Sequence, residues 1–187
     1  VPSALPVDDL FVNIEEEFNL DMTQSFDNGY PGNILSYSIG VEEGELPSWI
    51  QIDSQTGNLS GIPPIDAQAS QSIVISAIDQ NGLKAETNLN ILINLPPVAL
   101  DDELTVFQNE SQELNNLLDN DSDPNDDNFI IISVETPLNG TAEIQEGGMS
   151  ILYTPDLDYI GLDSFSYIIE DETGLTSTAQ VNITVAA

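Results

Sequence analysis

Cationic side chains are almost absent from this sequence. Lys84 is the only one among 187 residues, histidine and cysteine are missing altogether, and 33 carboxylates leave a formal net charge of −32. Each absence closes a class of function. Without basic residues nothing neutralises phosphates, so nucleic acid is excluded as a partner and an anionic membrane surface is disfavoured. Without histidine and cysteine there is no Ser-His-Asp or Cys-His arrangement, and zinc and copper lose their usual donors. No Gly-rich phosphate loop precedes a helix. Disulfides are excluded, although a lack of cysteine does not by itself fix the redox compartment. No apolar run approaches the ~20 residues that span a bilayer, and this segment is not expected to insert into a membrane. Salt bridges cannot hold such a chain together, and its self-repulsion calls for relief by salt or bound cations.

What is present has the period of strands. Ala179, Val181, Ile183 and Val185 alternate with Gln180, Asn182 and Thr184. Leu89, Ile91 and Ile93 form a second such row, and Phe165, Tyr167 and Ile169 a third. Period-two alternation predicts strands with one face on a core. Turn pairs recur between them, at Asn28-Gly29, Asn81-Gly82, Asn139-Gly140 and Gly147-Gly148. No stretch reads as a helix of three turns. Pro96-Pro97 breaks the pattern and stiffens a connector, which leaves about 90 residues on each side, a normal size for a seven-strand sandwich. The halves end alike, "ISAIDQNGLKAETNLNILIN" against "SYIIEDETGLTSTAQVNITV". An apolar strand runs into an Asp, then a Gly-containing turn, then a long alternating strand. The reading is all-β: two tandem modules, residues 1–95 and 96–187, each a β-sandwich of about seven strands.

Charge is most crowded in "NDSDPNDDN", Asn120 to Asn128. Calcium takes six to eight oxygen ligands in flexible geometry, and a turn rich in Asp, Asn and carbonyl groups supplies them. Asp121, Asp123 and Asp127 have that spacing, with Pro124 and Asn125 bending the chain. The loop is not an EF-hand, since its sixth and twelfth positions carry neither the required Gly nor the Glu. Magnesium stays open as a second ion. The competing reading is a solvated acidic surface. Glu15-Glu16-Glu17 is a further acidic run at a strand start, with Glu16 or Glu17 as a candidate ligand.

The stretch "LPSWIQIDSQTGNLSGIP", Leu46 to Pro63, resembles the signature of dystroglycan-type cadherin-like domains, also described as Ig-like modules. "PPVALDDELTV", "LLDNDSDPNDDNFIIISV" and "ILYTPDLDYIGLDSFSYIIEDETGLTSTAQVNITV" resemble the cadherin-like tandem repeats of large bacterial surface proteins. The resemblance implies Greek-key sandwiches of the cadherin/Ig-like kind, with Trp49 in a core. It also extends the calcium set to Asp101, Asp102 and Asp171. In "PPID", Asp66 matches the acidic position of a cadherin ligand motif, and Asn94 opens the linker motif although Leu95 stands where its Asp is expected. Glu16, Glu17 and Asp66 would then face the acidic turn of the following module. Asp53 and Asp79 look like ligands by position.

The expected function is a calcium-binding, non-enzymatic structural and adhesive module pair of a large secreted or cell-surface bacterial protein. One alternative is a calcium-dependent recognition module for polysaccharide or for a partner cadherin-like domain, in which Tyr30 would be an exposed contact. Another is a passive spacer beside a catalytic domain. Paired carboxylates serve glycoside hydrolysis, but here they cluster in turns, where a sandwich offers no deep pocket to shift a pKa.

Overall fold

The computed structural model describes residues 1–29 and 33–187. Tyr30 lies outside them. The chain divides into two compact units, Val1–Asn94 and Leu95–Ala187. The described residues form strands and two 3-10 turns, Thr23–Ser25 and Leu117–Asp119. The chain is all-β, in two tandem Greek-key sandwiches.

In the first unit a four-stranded sheet runs β2 (Leu10–Asn13), β9 (Lys84–Asn94), β8 (Ser70–Ile78), β5 (Ser36–Gly40). Opposite it lie β3 (Phe18–Asp21), β7 (Asn58–Gly61) and β6 (Ile50–Ile52), while β1 (Ser3–Ala4) and β4 (Phe26–Asp27) pair separately. The second unit repeats the plan. Its larger sheet is β10 (Asp102–Phe107), β16 (Thr176–Ala186), β15 (Gly161–Asp171), β12 (Phe129–Val134). Its smaller sheet is β11 (Gln112–Leu114), β14 (Ile151–Pro155), β13 (Gly140–Ile144). In both units the first strand of the larger sheet runs parallel to the last, and the remaining neighbours are antiparallel.

Alternation sets which face each strand buries. Ala179, Val181, Ile183 and Val185 of β16 point inward, and so do Phe165, Tyr167 and Ile169 of β15. Together with Val106, Leu114, Leu117, Ile151 and Tyr153 they form the second core. Leu89, Ile91 and Ile93 of β9 are buried with Ile73, Ile75, Leu59 and Met22 in the first unit. Trp49 departs from expectation. It is only partly buried and lies outside the core residues. Its ring meets Phe18 edge-on, with centroids 6.3 Å apart, and stands just before β6, where the sheet ends.

The Gly pairs do two different jobs. Gly29, Gly82, Gly147 and Gly148 take positive φ in turns, whereas Gly140 opens β13 at a site where a Cβ would lie 2.5 Å from the carbonyl oxygen of Thr154. Gly61 is tighter still. A Cβ there would sit 2.4 Å from the backbone oxygen of Trp49 and 3.0 Å from the Phe18 ring. Gly61→Ala is therefore expected to destabilise the first unit by ~1–3 kcal/mol through overpacking. Gly40→Ala in β5, which meets nothing within 4 Å, should be neutral or slightly stabilising. Thermal melts of the two variants check this, and equal behaviour would show that Gly61 is not a close-packing position.

Candidate metal centre

Turn aspartates in this chain are held by backbone. Oδ1 of Asp53 accepts the N–H groups of Gln55 (2.9 Å) and Thr56 (2.7 Å). Oδ1 of Asp79 accepts those of Asn81 (2.8 Å) and Leu83 (2.9 Å). Donation to the ionised form favours it, so the Thr56 N–H, then that of Gln55, holds the Asp53 carboxyl below its usual range. The Leu83 N–H does the same for Asp79, against an opposing effect of burial. These two positions, which look like ion ligands in the sequence, fasten turns. Lys84 pairs with Glu86 at 2.6 Å with both side chains half exposed, and such pairs add little.

The second unit builds the same kind of turn at its acidic loop. Oδ1 of Asp123 accepts N–H from Asn125 (2.7 Å) and Asp127 (3.2 Å), and Asp126 takes positive φ to close the loop. Asp171 is buried at the end of β15. Its Oδ1 accepts the Thr173 N–H (2.8 Å), the Thr173 hydroxyl (2.9 Å) and the Leu175 N–H (2.9 Å). The loop and this hairpin are neighbours: Phe129 pairs with Asp171, and Asn128 Nδ2 donates to Glu172 Oε1 at 2.7 Å.

The second oxygen of Asp123 is different. Oδ2 is buried and has no hydrogen-bond partner. A buried acceptor left unmade costs ~1–3 kcal/mol, more when charged. Asp127 is pushed above its usual range, first by burial and then by the charges of Asp123, Asp171, Glu172 and Asp126. These carboxylates thus feel one another. They do not yet converge, for the described residues contain no group of three or more acidic side chains placed to hold a metal ion.

A second acidic knot surrounds Tyr167, whose ring is fully buried. Its hydroxyl lies 3.0 Å from Asp121 Oδ2, 3.2 Å from Asp102 Oδ2 and 3.3 Å from the Leu117 carbonyl oxygen. One hydroxyl proton serves one acceptor at a time. Asp121 Oδ1 also accepts the Leu100 N–H at 2.8 Å. Burial is the main cause pushing Asp102 up to about 6; Tyr167 opposes it, and the charges of Asp121 and Asp101 add to it. Burial likewise raises Asp121, against the Leu100 and Tyr167 donations. Asp101 itself is exposed and accepts the Gln180 N–H at 2.9 Å.

The first-unit candidates are more dispersed. Glu16 and Glu17 are exposed ahead of β3, and they accept from Asn13 Nδ2 (3.3 Å) and Asn19 Nδ2 (3.5 Å) respectively. Asp66 is exposed in the Pro64–Ala67 turn. Asn94 ends β9, and its backbone oxygen accepts the Ile14 N–H at 3.2 Å. Glu17 and Asp66 line separate grooves beside Trp49.

Sequence reasoning missed Tyr167 and Asp163. The latter is a buried carboxylate that accepts the Tyr153 hydroxyl at 2.8 Å and the N–H groups of Ser164 (3.0 Å) and Asn139 (3.2 Å). An Asp on the inward register of β15 was the available signal.

Residues 1–94 match the family model described as "Putative Ig domain", and residues 94–184 match the one described as "Bacterial Ig domain". No curated protein matches significantly. Among solved structures, the human desmocollin-1 ectodomain is 19% identical with a TM-score of 0.47, covering 98% of this chain and 36% of that one. An endo-fucoidan hydrolase of glycoside hydrolase family 107 is 18% identical with a TM-score of 0.36, covering 99% and 29%. A titin I-band fragment, I67–I69, is 10% identical with a TM-score of 0.46, covering 98% and 63%. The chain therefore spans only about a third of the first two proteins. No helix among the described residues is long and apolar enough to cross a membrane.

The raised carboxyl of Asp102 has a definite pH sign. A folded-state pKa above the unfolded value favours the protonated folded form, so stability falls as pH rises from about 4 to about 6. In metal-free buffer at fixed salt, acidification from pH 7 to pH 5 should stabilise the second unit. After screening at this part-exposed site the gain is about 1 kcal/mol. Asp102→Asn should flatten this limb of the stability profile, and an unchanged limb would contradict the assignment.

Proposed function

Since this chain belongs to the Ig-domain families just matched, we propose that it is a calcium-binding structural and adhesive module pair of a larger extracellular bacterial protein. The modules carry no catalysis of their own, and calcium relieves and rigidifies the acidic end of the second one. The observation that carries this reading is the buried, unpartnered Oδ2 of Asp123 beside carboxylates that repel it. A hard cation accepting oxygen ligands is the partner such an atom lacks. Asp123, Asp127 and Asp171 would supply the protein oxygens, with Asp102 and Asp121 as a neighbouring pair. Because Oδ1 of Asp123 already holds its turn, an arriving ion would be taken by its second oxygen. The ion supplies charge neutralisation and a cross-link between the acidic loop and the β15–β16 hairpin. Glu16, Glu17, Asp66 and Asn94 belong to weaker positions, being dispersed and, for the acids, exposed.

Extracellular calcium modules work at dissociation constants of about 10⁻⁴–10⁻³ M. At a tenfold excess of ion, one such site adds about 1.4 kcal/mol. In a unit of this size that is a rise of ~4–8 °C in Tm per kcal/mol. The test is a pair of melts with calcium and with chelator at constant high ionic strength, since sodium alone screens part of the repulsion. Asp123→Asn should invert the comparison. With chelator it melts at or above the wild type, because a buried unpartnered charge is gone; with calcium it melts below. If calcium leaves both proteins unmoved, the loop is a solvated acidic surface and the reading fails.

A further inference from the structure

The first unit holds a feature that the metal reading does not use. Trp49, the only tryptophan of the chain, is partly exposed between two grooves of about 280 and 310 Å³ that share it and Ser48 as a wall. Each is close to the ~300 Å³ lower end of small-molecule clefts. The indole is held in place from behind. Phe18 meets it edge-on at 84°, its backbone oxygen packs over side-chain-free Gly61, and the turn is pinned by the Ile50 N–H on the Pro47 carbonyl at 3.2 Å. A platform fixed in this way loses little freedom when a ligand stacks on it.

The groove walls are polar. Gln51 and Ser60 line one side, 3.5 Å apart, and Gln68 and Gln71 line the other. Amide and hydroxyl groups both donate and accept, which matches the mixed hydrogen-bonding needs of sugar hydroxyls around an apolar ring face. Glu17 lines one groove and Asp66 the other, in a chain of net charge −32, and such a field repels sulfated or carboxylated glycans.

We propose that the Trp49 platform is a binding site for a neutral polysaccharide, with one sugar ring stacked on the indole and its neighbours reaching into the flanking grooves. The site lies wholly within the first unit. It stands or falls independently of calcium at the second.

Because Trp49 is the sole tryptophan, its emission reports the site in the full chain without a label. Cellohexaose, laminarihexaose, xylohexaose and mannohexaose are titrated separately, each with calcium and with chelator. At least one should give a saturable change in emission, and the change should persist in chelator. Calorimetry on the same sugar should show no binding to Trp49→Ala. Gln51→Ala and Gln71→Ala, surface changes that leave the platform standing, should each weaken binding by about three- to tenfold. Silence of Trp49 toward all four sugars up to millimolar concentration overturns the proposal. A response to oligolysine in place of the sugars also overturns it, and would mark the site as a cation-π receptor for a basic protein. Loss of the sugar response in chelator would refute the independence of the two sites.

Discussion

With a single lysine set against 33 carboxylates, this fold has to satisfy its buried and turn aspartates without side-chain cations. Backbone N–H groups do most of that work. Asp53, Asp79, Asp123 and Asp171 each bend the chain so that two amides reach one carboxylate oxygen. The same geometry therefore stabilises the turn and the charge. It also explains why so acidic a chain can fold into two sandwiches: the aspartates are spent as turn formers at strand ends, and the alternating strands keep their inner faces apolar.

The two modules differ in how far this solution reaches. In the first, Asp21, Asp53 and Asp79 are held below their usual range by hydrogen bonds. In the second, Asp102, Asp121 and Asp127 go the other way, chiefly because they are buried with too few donors. Tyr167 offers one proton to two carboxylates and a carbonyl. Asp123 keeps one oxygen buried and unmatched. The unmatched oxygen and the mutual repulsion are thus local, and they lie where the acidic loop meets the last hairpin. On the two proposals made above, function divides between the modules: the first carries the aromatic platform and the second the cation-binding end.

Much of the fold was legible from period-two alternation, because a one-residue slip in β9, β15 or β16 would turn a whole apolar row outward. The acidic loop was legible as a charge cluster, yet its internal economy was not. Which oxygen of Asp123 is occupied depends on backbone direction at Asn125 and Asp127, and that is not written in residue types. Tyr167 was read only as a core residue, since nothing in "SFSYIIED" reveals that its hydroxyl reaches Asp102, at the start of β10 in the same sheet, and Asp121 in the acidic loop. Trp49 was misplaced for a related reason. The family resemblance implies a core tryptophan, but Gly61 lets Phe18 and the Trp49 backbone pack closely and the indole is only partly buried.

The most direct test is an amide-resolved NMR titration of the full chain with calcium at constant high ionic strength. The account predicts saturable shifts at Asn125, Asp127, Thr173 and Leu175, whose amides bond to the Asp123 and Asp171 carboxylates, with Gln55, Thr56, Asn81 and Leu83 unmoved. Shifts spread evenly over the acidic turns of both modules, or none that saturate, would contradict it.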